Sequence, residues 1–173
     1  SNATSKALSG KGNGSYGYHV QACNVGGCGP WSSTGTTTVL LPPAAPPSLT
    51  VPATSSGSIA VSWAASATAT SYTLQQRLGT GSWSTVYTGA ATSSTRTVTA
   101  SGSYTYQVQA CNASGCSAYK ASSAVTVTIP PATAPSLTVP ASSSTGNYTV
   151  SWAGVSGATS YTLQEQVNGG SWA

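Results

Sequence analysis

The chain has 173 residues, 39% of them hydrophobic but only 3% charged, with a formal net charge of +4. Its five cations, Lys6, Lys11, Arg77, Arg96 and Lys120, are scattered, so no basic cluster forms to neutralise adjacent phosphates, and nucleic acid is excluded as a partner. One carboxylate (Glu165) and one histidine (His19) provide no acid–base constellation, so no enzyme and no cofactor are expected; no run of about 18 apolar residues exists for membrane insertion.

In chain order, Ser1-Asn2-Ala3 reads as the remnant of an expression tag. A first aromatic-rich stretch, "GSYGYHVQACNVGGCGPWS", begins at Gly14 and contains Cys23, Cys28 and Trp31. The proline-rich "LPPAAPPS" (41–48) follows; proline supplies no N–H to a sheet ladder and stiffens the chain, so this is a short semi-rigid linker. In "SIAVSW", Ile59, Val61 and Trp63 alternate with Ser58, Ala60 and Ser62, and "SYTLQQR" repeats the pattern with Tyr72 and Leu74. "YTYQVQA" sets Tyr104, Tyr106, Val108 and Ala110 on one face and Thr105, Gln107 and Gln109 on the other. Such period-2 alternation predicts antiparallel strands covered on one side. "GTGS" (79–82) and "ASGS" (100–103) supply turns between them, and no stretch carries a helical period. A second linker, "IPPATAPS" (129–136), precedes another "PSLTVP" stretch, a second "VSW" and a second "SYTLQ".

Internal repetition organises the whole. Residues from Gly14 match those from Gly102 at an offset of 88 that carries Tyr16 onto Tyr104, Cys23 onto Cys111, Cys28 onto Cys116 and Trp31 onto Tyr119. Residues from Pro47 match those from Pro135, the offset becoming 89 by Trp63 and Trp152 because one loop gains a residue; Trp83 then matches Trp172. The expected division is a partial unit over 1–41, a complete unit over 42–130 and a partial unit over 131–173. Seven short strands in the complete unit predict a β-sandwich.

"IAVSW", "SYTL" and "YTYQV" at the second, third and sixth strand positions resemble a fibronectin type III domain. The resemblance implies an all-β, immunoglobulin-like sandwich of seven antiparallel strands. It also implies a core Trp on strand B (Trp63, with Trp152 its counterpart) and a tyrosine corner on strand F (Tyr104, with Tyr16 its counterpart). By the same alignment 1–41 holds strands E, F and G, with Leu8 in a weakly matched E strand, and 131–173 holds A, B, C and the start of C′. Each fragment exposes an apolar face and unpaired edges, so strand-swapped self-association through residues 5–40 and 131–173 is expected. The Cys-Asn-x-x-Gly-Cys insert is similar to versions in secreted and surface bacterial proteins, and that resemblance implies a location outside a bacterial cell.

Strand parity turns Cys111 outward, with Cys116 across the F–G turn at a separation that a disulfide accepts. Bridges Cys23–Cys28 and Cys111–Cys116 are therefore expected, with free thiols as the remaining alternative. Zinc needs four converging ligands and redox motifs favour two intervening residues, whereas these pairs lie 88 residues apart and enclose four. His19 and Glu165 read as surface residues, and Trp83 and Trp172 as packing at a sandwich edge. The expected role is a structural spacer that presents other domains of a larger extracellular protein. The alternative is an adhesion module that binds protein or glycan at the cell surface through F–G hairpin tips and Trp31, Trp83 or Tyr119, since exposed aromatic rings stack on sugars.

Overall fold

The computed structural model describes residues 3–173, so most of the tag-like triplet (Ser1 and Asn2) lies outside the described residues. The architecture is all-β. Residues preceding the first linker form β1 (Gly14–Tyr18), β2 (Gln21–Asn24), β3 (Gly27–Trp31) and β4 (Gly35–Val39). The central unit holds β5 (Leu49–Thr50), β6 (Thr54–Ser55), β7 (Ser58–Trp63), β8 (Ser71–Leu78), β9 (Ser84–Gly89), β10 (Ser93–Thr97), β11 (Gly102–Asn112), β12 (Gly115–Cys116), β13 (Lys120–Ala121) and β14 (Val125–Val127). Beyond the second linker lie β15 (Leu137–Thr138) and β16 (Ser151–Trp152).

The central unit is a two-layer sandwich of the fibronectin type III kind. One layer runs β10-β7-β5 and the other β6-β14-β11-β8-β9, with β12 and β13 also pairing β11. All ladders are antiparallel except the short β6–β14 pair. The alternation in the sequence sets the layers facing each other: Ile59, Val61 and Trp63 from β7 meet Tyr72 and Leu74 from β8 and Tyr104, Tyr106, Val108 and Ala110 from β11, all buried. Burying a side chain of this size contributes roughly 1.5–3 kcal/mol, which is why the core side chains of β7, β8 and β11 hold the two layers together. Trp63 packs its ring 5.8 Å from those of both Tyr72 and Tyr87.

The flanking segments form smaller sheets, β1–β4, β2–β3 and β15–β16. These segments leave apolar faces open. Trp152, expected in a core, is 37% exposed, and Tyr16 is half-buried. Among the described residues no second layer faces either segment, and a sheet buries its apolar side only against another layer. Leu8 is exposed and lies in no strand; its counterpart β10 is held by β7, and among the described residues no strand pairs with residues 5–13.

Candidate functional site

The site is the turn that ends β11 and the linker lying across it. Cys111 stands directly opposite Cys116, and Cys23 opposite Cys28. In each pair the Cα atoms are 4.0 Å apart and the sulfurs are joined in a disulfide. No free cysteine remains among the described residues, so no thiolate is left to ligate a metal. Inside the bridge the side chain of Asn112 folds the turn: its Oδ1 accepts the N–H of Ser114 at 2.8 Å, as Asn24 Oδ1 accepts that of Gly26 at 2.8 Å. Asn does this readily because its short side chain mimics a backbone turn. Gly115 and Gly27 take φ values of 137° and 124°, a region that side-chain-bearing residues rarely enter.

The turn grips the linker. Asn112 Nδ2 donates to the carbonyl of Leu41 at 2.8 Å, and Ser114 Oγ donates to the carbonyl of Leu40 at 2.6 Å. From the other side, the N–H of Leu41 donates to Asn13 Oδ1 at 2.6 Å. Pro43 and Pro46 of the same linker are buried. The linker is thus packed between two units, and its prolines have little freedom left to lose.

The tyrosine corner closes the opposite end of β11, where Tyr104 donates its hydroxyl to the carbonyl of Ala100 at 3.0 Å; Tyr16 does the same to Gly12 at 2.9 Å. Nearby, the N–H of Ile129 donates to Ser101 Oγ at 2.9 Å. Within β11, burial pushes the Tyr106 phenol up to about 12, the positive Arg96 opposing this and Tyr104 adding to it.

The aromatics divide. Trp31 is 56% exposed and stacks on His19 with ring centroids 4.2 Å apart. Tyr119, its counterpart, is also exposed. Trp83 is half-buried under the Arg77 guanidinium, 4.5 Å from the ring centroid. Trp172 lacks such a cover, since Gln166 stands at the matching position, and is 63% exposed. Trp31 thus closes β3 at the first stapled hairpin and Tyr119 lies three residues past β12 at the second, while Trp83 stands under the Arg77 guanidinium. Sequence reasoning missed the contribution of Asn112, Ser114 and Asn13 to the linker; an Asn or Ser beside a turn carries no signal of what it will hold across 28 to 74 residues of chain.

Residues 50–149, more than half of the chain, match the family described as the chitinase A N-terminal domain. No curated protein sequence matches. Among solved structures, the extracellular domains d3–d4 of rat CD45 superpose with a TM-score of 0.58 at 13% identity, over 70% of this chain and 68% of that one. Titin domains (TM-score 0.44, 22% identity) match 55% of this chain, which spans 36% of theirs. The FN1–FN3 domains of chicken CNTN1 (TM-score 0.45, 20% identity) match 71% of this chain and 46% of theirs. The chain belongs to the chitinase A N-terminal domain family and is built on the fibronectin type III fold.

Proposed function

We propose that this chain is a non-catalytic extracellular spacer that holds neighbouring domains of a larger protein at a set distance and orientation. The observation that carries the reading is the grip of Asn112 and Ser114 on the carbonyls of Leu41 and Leu40. Linkers that merely connect leave domains free to move, whereas this one is hydrogen-bonded on both sides and has two buried prolines. The disulfide supports an oxidising compartment for the gripping turn and stiffens it. The family's description sets such a domain at the N-terminal side of a chitinase, which fits the presentation of a catalytic domain.

Asn112→Asp combined with Ser114→Gly tests this. Aspartate keeps the oxygen that folds the turn but removes the donor to Leu41, and glycine is the residue that the first hairpin has at the matching position (Gly26). Small-angle X-ray scattering should show a broader distribution of interatomic distances in the variant than in the parent. Superimposable curves would overturn the reading.

Trp31 favours a second role, since its exposed ring beside a rigid hairpin suits stacking on a sugar. Retention of the chain on insoluble chitin, lost in Trp31→Ala, would establish glycan binding; recovery of all the protein in the supernatant leaves the spacer role alone.

A further inference from the structure

The flanking segments are two halves of one sandwich, and we propose that they complete each other between two copies of this chain. Residues 14–39 of one copy take up residues 137–173 of another.

Each half already has the register of the central unit. Gly14 pairs Val39 and Tyr16 pairs Thr37, as Gly102 pairs Val127 and Tyr104 pairs Val125; these are the same pairs 88 residues earlier. Leu137 pairs Trp152 as Leu49 pairs Trp63. Trp152 and Tyr161 meet at 5.9 Å, matching Trp63 and Tyr72 at 5.8 Å. Tyr161 accepts the N–H of Val155 at 2.7 Å, as Tyr72 accepts that of Ser66 at 2.9 Å. Glu165 and Ala173 exchange two backbone hydrogen bonds at 2.9 and 3.0 Å where Gln76 pairs Ser84.

Within these 173 residues each half leaves open the face that the other would cover. In the central unit the largest ladder joins β11 to β8, in the register Val108 to Leu74 and Gln107 to Gln75. Carried over by the repeat offsets, it sets Val20 against Leu163, Tyr18 against Glu165, Ala22 against Tyr161 and His19 against Gln164. The apolar members of this set are exposed in the single chain: Val20 is 71% exposed and Leu163 53%, whereas Val108 and Leu74 are both at 0%. A hollow of about 60 Å³ lies between Leu137, Trp152, Tyr161 and Leu163, on the face that β11 covers in the central unit. Burying this surface is the driving force, and the unpaired strand edges supply the hydrogen bonds.

One chain does not bring its own halves together. They leave the central unit at opposite ends of β11, one tied to Asn112 and the other to Ser101, and an 11-residue strand spans roughly 35 Å. A second copy meets no such barrier. Its hairpin would also bring Asn24 to the carbonyl of Ile129, as Asn112 meets that of Leu41. The exposed second linker would then be gripped as the first one is.

Light scattering on the full chain should give at least twice the chain mass at micromolar concentration; a monomer at every concentration overturns the proposal. Val20→Lys and Leu163→Lys, both at exposed positions in the single chain, should each yield monomer without moving the melting transition of the central unit. Persistent association of both variants overturns it. Mixing His19→Cys protein with Gln164→Cys protein should give a covalent dimer linked between 19 and 164. His19→Cys with Glu165→Cys should give about tenfold less, because a one-residue step turns the side chain to the other face. Closure of the 19–164 link only within doubly substituted monomers would also overturn it.

Discussion

Tyr106 offers a test in which stability and pH are linked through one hydroxyl. It is fully buried at the centre of β11 and donates to Gln76 Oε1 on β8 at 3.0 Å. Tyr106→Phe keeps the ring and removes the donor, at a cost of about 0.5–1.5 kcal/mol at neutral pH. Burial raises the phenol to about 12, against Arg96 and with Tyr104, while an unfolded tyrosine ionises near 10. Below pH 10 both states keep the proton and the hydrogen bond contributes in full. Between pH 10 and 12 the unfolded chain releases its proton and the folded chain holds it, so stability falls by up to about 1.4 kcal/mol per pH unit. The variant has no such proton. The parent should therefore be about 1 kcal/mol more stable at pH 7, level with the variant near pH 11 and less stable at pH 12. Urea titrations of both proteins from pH 7 to 12, followed by circular dichroism, measure the difference, and effects common to both cancel. A difference that stays constant across this range would refute the linkage; a variant more stable at pH 7 would refute the role of the hydrogen bond.

Two further outcomes concern the stapled turn. Cys111→Ser with Cys116→Ser opens a very short loop, and the lost constraint on the unfolded chain should lower stability by about 2 kcal/mol, read as a lower thermal midpoint that reductant no longer changes. Gly115→Ala forces a side chain into φ 137° with its Cβ 3.4 Å from Pro42 Cγ, and should cost about 1–3 kcal/mol while speeding hydrogen exchange at Leu41.

Much of the sandwich was legible because strand alternation is a local signal. Ile59, Val61 and Trp63 point inward for the same reason that Ser58 and Ser62 point outward: successive side chains on a strand alternate faces. The staple was legible too, since the same alternation turns Cys111 outward with Cys116 across the turn from it. The grip on the linker was not. Asn112 and Leu41 are 71 residues apart, and a hydrogen bond across that span exists only once the sandwich has set its end against the linker.

Trp63 and Trp152 mark the same boundary. The sequence by itself determined that both lie in the same "VSW" strand motif, each followed by the same "SYTLQ" stretch. Only the tertiary structure decided that Trp63 is buried and Trp152 is 37% exposed. Periodicity chooses which face a residue takes, but burial needs a second layer to cover that face.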